Sequence, residues 1–182
     1  MKVISGSLKG RNIIGYSIVG TRPTMDRVKE SIFGMIQDKV YDSIFLDLFS
    51  GSGNIGIEAI SNGSKLVYFN DKNYECIKTI KSNLENFNVL DKSILLKQDY
   101  LECLNYLQKE KVKLDIVFLD PPYKDMIMER IIDILIKKDL LNNDAYIICE
   151  ATYEVNTNNS NITLIKNRVY GEKKVFIYKF CK

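Results

Sequence analysis

Asp120-Pro121-Pro122-Tyr123 closes the apolar run Leu114-Asp115-Ile116-Val117-Phe118-Leu119. A buried strand that ends in a carboxylate, two prolines and an aromatic ring has two readings. Two prolines cannot continue a sheet ladder or sit deep in a helix, so the four residues would serve as a stop signal. The same four residues would also clamp a flat, amino-bearing base. A carboxylate accepts hydrogen bonds from an NH2 group, and a tyrosine ring stacks on the base. In that reading Asp120 and Tyr123 carry the chemistry, while Pro121 and Pro122 keep the turn stiff.

A second constellation lies upstream, in DLFSGSGNIG at residues 47–56. Gly51, Gly53 and Gly56 satisfy G-x-G-x-x-G, and Asp71 follows Gly51 by twenty residues. Glycines let a ligand approach the backbone closely, and an acid at that spacing accepts hydrogen bonds from a ribose diol. NAD and S-adenosylmethionine both carry an adenosine, so this pattern fits either. Asp47 favours the second. A carboxylate four residues before Gly51 repels a pyrophosphate and suits the ammonium and sulfonium of S-adenosylmethionine. Its other reading is a cap on a neighbouring helix or a partner for a lysine. Phe49 and Ser52 share the loop and join Asp47, Gly51, Gly53 and Asp71 as expected cofactor-binding residues. Asp99, in KQDY, is the expected acceptor for the adenine amino group, although an Asp at such a position more commonly caps a helix.

These residues need elements to hold them. VISGS and RNIIGY flank an LKG turn, which predicts a short N-terminal hairpin over residues 3–16. Val28, Ile32, Met35 and Ile36 fall on one helical face and predict a helix from about Thr24, as N-cap, to Lys39. Strands are expected at 44–49, 65–70, 93–97, 114–119 and 145–150. The helices between them are expected at 54–62, 74–87, 100–109 and 125–138. Continuously apolar strands alternating with helices imply a parallel sheet covered on both faces. After the Asn-rich stretch 156–161, ITLIKNRVY and KVFIYKF flank GEK with no intervening helix, which predicts an antiparallel hairpin and a mostly parallel sheet of seven strands.

Composition sets the limits. A chain of 182 residues suits one domain. No apolar run approaches the roughly 18 residues of a membrane span, and the N-terminus lacks a signal-peptide core, so a cytoplasmic protein with no membrane partner is expected. Cys76, Cys103, Cys149 and Cys181 form no CxxC and are expected to be reduced. The chain has no histidine, which removes histidine-based acid–base catalysis and histidine-containing zinc sites; no metal is expected. Residues 1–29 hold Lys2, Lys9, Arg11, Arg22, Arg27 and Lys29 against the single acid Asp26, and the tail from Lys166 is also basic. Such clusters are solvated faces or the footprint of a polyanion.

With Asp47, Gly51–Gly53, Asp71, Asp99 and Asp120-Pro121-Pro122-Tyr123 in this order, the chain resembles the class I S-adenosylmethionine-dependent methyltransferases. ISGSLKGRNI, TRPTMDRVKESIF, DLFSGSGNIGIEAISNG, DPPY and YGEKKVFIY together resemble the bacterial 16S rRNA (guanine-N2)-methyltransferase family, over residues 3–180. DPPY alone is shared with adenine-N6 and cytosine-N4 enzymes; RPT-x-DRVKE-x-F is the family-specific part. ISNGSK departs from the family, where an arginine before the glycine is common. The resemblance implies a single α/β, Rossmann-like domain over 1–182, with a basic hairpin arm at 1–23 and a catalytic core at 24–182. It implies S-adenosylmethionine as cofactor and 16S rRNA within a small-subunit particle as partner.

The exocyclic amine of guanine is a poor nucleophile because its lone pair is delocalised into the ring. Asp120 and the adjoining carbonyl would hold that amine towards the methyl group, and Tyr123 would stack on the extruded base. Lys9, Arg11, Arg22 and Arg27 would grip phosphates on an arm that orders only partly in the free enzyme. The rivals are an adenine-N6 methyltransferase with the same clamp, which usually needs a separate target-recognition domain, and a non-catalytic rRNA-binding assembly module. A monomer is expected.

Overall fold

The central strands are apolar on both sides, and the fold buries both sides. The computed structural model describes residues 1–15, 24–121 and 127–182. Helix α1 spans Thr24–Met35, β1 Ile44–Asp47, α2 Asn54–Ser61, β2 Leu66–Asn70, α3 Tyr74–Phe87 and β3 Ser93–Leu96. Then follow α4 at Tyr100–Lys109, β4 at Leu114–Leu119, α5 at Met128–Lys137, β5 at Leu141–Ala151, β6 at Ile162–Tyr170 and β7 at Lys173–Phe180. Leu46, Val117 and Ile147 face a core with Leu104 of α4 and Ile131 and Leu135 of α5. Their neighbours Phe45, Ile116 and Ile148 face the opposite core, with Ile32 of α1, Ile57 of α2 and Ile80 and Leu84 of α3. Successive side chains of a strand point to opposite faces, so every residue of these runs finds an apolar partner.

The seven strands are ordered β3-β2-β1-β4-β5-β7-β6. Strands β1 to β5 are parallel, and β7 adds antiparallel to β5 with β6 outside it. Successive strands are laid down outward from β1 to β3, and the chain then crosses back to place β4 on the other side of β1. This reversal opens a crevice at the carboxyl ends of β1 and β4, where open α/β sheets take ligands. Among the described residues no helix is long and apolar enough to cross a membrane.

Three expectations change. Helix α1 stops at Met35 instead of Lys39. There the chain turns, with the amides of Lys39 and Val40 both donating to Ile36 O, and Val40 enters the core. The expected Thr24 cap concerns a side chain outside the described residues. Strand β5 begins at Leu141, not Ala145. Its first residues, Asn142, Asn143 and Asp144, have no apolar alternation, and the register shifts between the Leu114–Leu141 and Ile116–Tyr146 pairs. Their side chains instead find polar partners, Asn142 donating to Asp115 Oδ1, Asn143 accepting from Lys182 N and Asp144 pairing with Lys179, so no apolar pattern marks this stretch.

The N-terminal hairpin is the third change. The turn and the antiparallel return are present, with Val3 N donating to Arg11 O, Gly10 N to Val3 O and Ile13 N to Met1 O. The pairing is short and amounts to one isolated bridge, Lys2 to Asn12, in place of two strands. The amides of Ile4 and Ser5 donate instead to the Glu58 carboxylate, and that of Leu8 donates to Ser61 Oγ. Val3, Leu8 and Ile13 are buried. Residues 1–15 are therefore packed against α2 and α3; residues 16–23 lie outside the described residues.

One buried ion pair holds this arrangement. Lys29 Nζ lies 2.9 Å from Glu58 Oε2, with the two side chains 1% and 0% exposed. The ammonium also donates to Lys2 O at 2.6 Å and Asn54 Oδ1 at 2.7 Å. It thus joins α1, α2 and the arm. Lys29 belongs to the interior, and the basic surface of the N-terminal region loses it.

Candidate active site

The crevice at the ends of β1 and β4 is a cleft of about 370 Å³. Phe49, Gly51, Asp71, Asp99, Tyr100 and Asp120 line it. The loop after β1 is shaped by its own backbone: Ser50 Oγ donates to Asp47 O, Gly53 N to Ser50 O, and Ser50 N to Asn70 O on β2. Gly51 and Gly53 take φ values of 51° and 78°, the left-handed region that glycine enters without a Cβ penalty. Gly56 has another reason to be glycine. A Cβ there would stand 2.2 Å from the Phe69 ring, so α2 packs on β2 only without a side chain at this point.

Asp71 bridges the two loops, accepting from Gly51 N at 2.9 Å through Oδ2 and from Asn73 N at 2.8 Å through Oδ1. A carboxylate oxygen accepts more than one hydrogen bond, so acceptor capacity remains for a ligand diol. Asp99 caps α4, accepting from Leu101 N at 2.9 Å, and still lines the cleft. The rings of Phe49 and Tyr100 lie 6.1 Å apart and inclined at 42°, an aromatic wall suited to a flat base.

Asn70 and Gln98 were not anticipated from the sequence. The Asn70 amide donates to Leu48 O and Gln98 O, tying together the ends of β1 and β3. Asn70 Oδ1 and Gln98 Oε1 are buried without partners, and both residues line the cleft. Buried acceptors without donors are costly, so the cleft is built for a ligand that brings N–H or O–H groups.

Not every expected cofactor residue reaches the cleft. Asp47 is 1% exposed, and its Oδ2 accepts from Gly56 N at 3.1 Å, in the first turn of α2. The helix-cap reading therefore describes it. Gly53 packs on Ile80 and Phe69, and Ser52 Oγ turns to Met1 Sδ at 3.9 Å. Phe49, Gly51, Asp71 and Asp99 are the members of the set that line the cleft.

Burial pushes the Asp47 carboxyl up to about 7, against the Gly56 hydrogen bond and with help from the charges of Asp120 and Asp71. Its contribution to stability is most favourable below the unfolded value of 3.8, where both states hold the proton. As pH rises from there to about 7, the unfolded chain ionises first and the folded state loses stability across that window. Asp47→Asn keeps an acceptor for Gly56 N and removes the charge. It should stabilise the ligand-free protein by roughly 1–3 kcal/mol at pH 8 and by almost nothing near pH 4. Urea unfolding at the two pH values measures this, and an equal effect at both would refute it.

Asp120 and Pro121 line the cleft; Pro122 and Tyr123 lie outside the described residues. The Asp120 carboxyl is raised by burial and then by the charge of Glu150, while Lys173 pulls it down. Glu150, next to last in β5, follows the Leu119–Cys149 pair alongside Asp120 and is ion-paired with Lys173 of β7. Neither was read from the sequence as part of the site. YGEKKVFIY does contain Lys173, but only strand pairing brings it next to β4.

The expected phosphate contacts separate. Lys9 and Arg27 are exposed, and Arg22 lies outside the described residues. Arg11 lies 4.6 Å over the Phe87 ring and donates to Asn86 O at 2.7 Å, satisfying the carboxyl end of α3. Helices α2 and α3 run against the strands, so the arm's tip, held by Ser61 and Phe87, sits at the end of the sheet away from the cleft. Over the length of α3, Arg11 is about 20 Å from the cleft edge.

The family model described as conserved hypothetical protein 95 matches residues 1–179. The chain is 36% identical over 181 residues to the Bacillus subtilis protein YlbH, covering 98% of each. It is 30% identical over 178 residues to ribosomal RNA small subunit methyltransferase D of Buchnera aphidicola, covering 97% of this chain and 91% of that one. The crystal structure of Haemophilus influenzae HI0767 superposes with a TM-score of 0.81 at 27% identity, over 100% of this chain and 98% of the other. The sheet order, the switch-point cleft and the match along nearly the whole chain agree, and the protein belongs to the conserved hypothetical protein 95 family, that of ribosomal RNA small subunit methyltransferase D.

Proposed function

We propose that this protein transfers a methyl group from S-adenosylmethionine to the exocyclic N2 amine of a guanine in small-subunit ribosomal RNA. One observation carries the reading: Asp120 and Pro121 open onto the same cleft as Gly51, Asp71 and Asp99. A cofactor held by the glycine loop and a base held by the tetrad would therefore meet.

The residues fit an adenosine-bearing cofactor. Asp71 would accept from the ribose hydroxyls, and Phe49 with Tyr100 would enclose the adenine. Asp99, together with the unpartnered Gln98 Oε1, would accept from the adenine amine. Asp47 acts at one remove, as a buried negative charge behind the loop that favours a cationic ligand over a pyrophosphate. What the cofactor supplies when bound is an electrophilic methyl on a sulfonium.

The protein supplies alignment and electrostatics. Asp120 accepts hydrogen bonds from the guanine amine, turns it towards the methyl, and favours the positive charge that develops on nitrogen. The proton that nitrogen sheds as the new N–C bond forms passes to the Asp120 carboxylate or to water. Pro121 fixes the backbone on which Asp120 stands, and Tyr123 stacks on the base. Exposed Lys9 and Arg27, with Arg22, are the proposed phosphate contacts, while Arg11 is engaged with α3. The family relatives named for small-subunit rRNA support the substrate class.

Nucleoside mass spectrometry of small-subunit rRNA from cells with and without the gene tests the reading. N2-methylguanosine should fall by one residue per rRNA when the gene is lost and return on complementation. Loss of N6-methyladenosine instead would move the assignment to adenine, and no change in either would refute methylation of this RNA.

A further inference from the structure

Asp120 does not stand alone at the sheet edge. The β4–β5 register pairs Leu119 with Cys149, so the next residues, Asp120 and Glu150, stand side by side near the ends of neighbouring parallel strands. Phe118 and Ile148 point into the core under α1, α2 and α3, and the alternation puts Asp120 and Glu150 on that same face. Strand β7 pairs Val175 with Glu150, and Val175 shares the face, as does Lys173 two residues before it. Three adjacent strands thus present a row of carboxylate, carboxylate and ammonium. Glu150 is 7% exposed and ion-paired with Lys173.

A buried carboxylate and a half-buried one side by side oppose each other's ionisation unless a cation is near. We infer that Lys173, acting through Glu150, is a positioning residue that holds Asp120 in the ionised form needed to accept the target amine. This rests on the methyl-transfer reading above. Neither residue needs to touch the base; Glu150 and Lys173 are absent from the cleft lining and act on Asp120. Among the described residues, the charged groups around Asp120 are Glu150 from β5, Lys173 from β7 and Asp47 from β1. Glu150 opposes its ionisation, Lys173 favours it, and the charge of Asp120 in turn keeps Asp47 protonated to higher pH.

The two partners of one ion pair therefore have opposite effects. Asp120 must be deprotonated to act, so its ionisation sets the acid limb of the rate–pH profile. Lys173→Met removes the favourable charge and should move that limb to higher pH by about one unit. Glu150→Gln removes the unfavourable charge, leaves the ammonium, and should move the limb to lower pH. The double variant should return it towards the parent, and Lys173→Arg should leave it in place. Cofactor affinity by calorimetry should stay within a few fold throughout.

The measurement is single-turnover methyl transfer to small-subunit particles from pH 5.5 to 9. It is paired with 13C NMR titration of the Asp120 carboxyl in protein labelled at aspartate and assigned with Asp120→Asn. The NMR arm reads the ionisation in the parent and in any variant that folds, whether or not it turns over. Shifts of the same sign in both single variants, or an unmoved limb and an unmoved Asp120 resonance, would overturn the inference and leave the methyl-transfer reading intact. A parent enzyme inactive on every RNA would instead refute that reading, while the NMR titration still decides the charge relation.

Discussion

Asp120→Ala is expected to lower methyl transfer by about 10²–10³-fold while leaving cofactor affinity within a few fold. The variant deletes the acceptor that orients the amine and leaves Phe49, Gly51, Asp71 and Asp99 untouched on the other side of the cleft. The loss cannot be put down to unfolding. Asp120 is a carboxylate whose ionisation is opposed by burial and by Glu150, so its removal relieves the folded state above the ordinary carboxylate range. The variant should therefore unfold at the parent's urea midpoint or later at pH 8. Asp120→Asn, which keeps one acceptor oxygen without charge, should fall between parent and alanine variant. Single-turnover transfer and calorimetry on one protein preparation separate the two effects, and a parental rate in Asp120→Ala would end the clamp model.

The second large effect lies away from the chemistry. Lys29→Met should cost about 3–5 kcal/mol, the scale for leaving one member of a buried ion pair uncompensated. Glu58 would keep the amides of Ile4 and Ser5 as donors and would lose its only ammonium partner among the described residues. Lys2 O and Asn54 Oδ1 would lose their shared donor at the same time. The arm should come away first, so hydrogen exchange at Ile4, Ser5 and Leu8 should speed up before the sheet amides respond. Lys29→Met combined with Glu58→Gln should recover part of the loss, because no net charge then stays buried. A penalty under about 1 kcal/mol in urea unfolding would show that the pair carries little of the arm's attachment.

Much of the frame was legible because both of its periodicities are strong. Helices α3 and α4 and strand β4 have the bounds expected from their spacing of apolar residues. Ile80 and Leu84 lie one turn apart on the buried face of α3, and Ile116, Val117 and Phe118 are apolar without interruption because both sides of β4 are covered. The terminal hairpin was legible from two apolar runs with no room for a helix between them. The start of β5 was not, because Asn142, Asn143 and Asp144 carry no apolar alternation; their polar side chains meet Asp115, Lys182 and Lys179, partners far away in sequence.

The site divides along the same physical line. Glycine at positions 51, 53 and 56, the acids at 71 and 99, and the Asp120–Tyr123 tetrad are local choices of residue type at fixed distances from strand ends. Their spacing offered a cofactor loop, a ribose acceptor and a tetrad that was either a stop signal or an amine clamp, and the family resemblance selected the clamp. Contacts between distant segments were decided only by the tertiary structure. Asp47 and Asp71 look alike in sequence, yet one is buried against Gly56 N and the other lines the cleft, because helix α2 closes over the first. Lys29 and Lys9 contribute equally to a basic N-terminal stretch, yet Lys29 meets Glu58 in the interior while Lys9 stays in water. Glu150 and Lys173 join Asp120 because β7 inserts antiparallel beside β5, a pairing set by sheet order and register. Residue type and spacing determine which chemistry is available; burial and strand order decide the charge environment in which each group performs it.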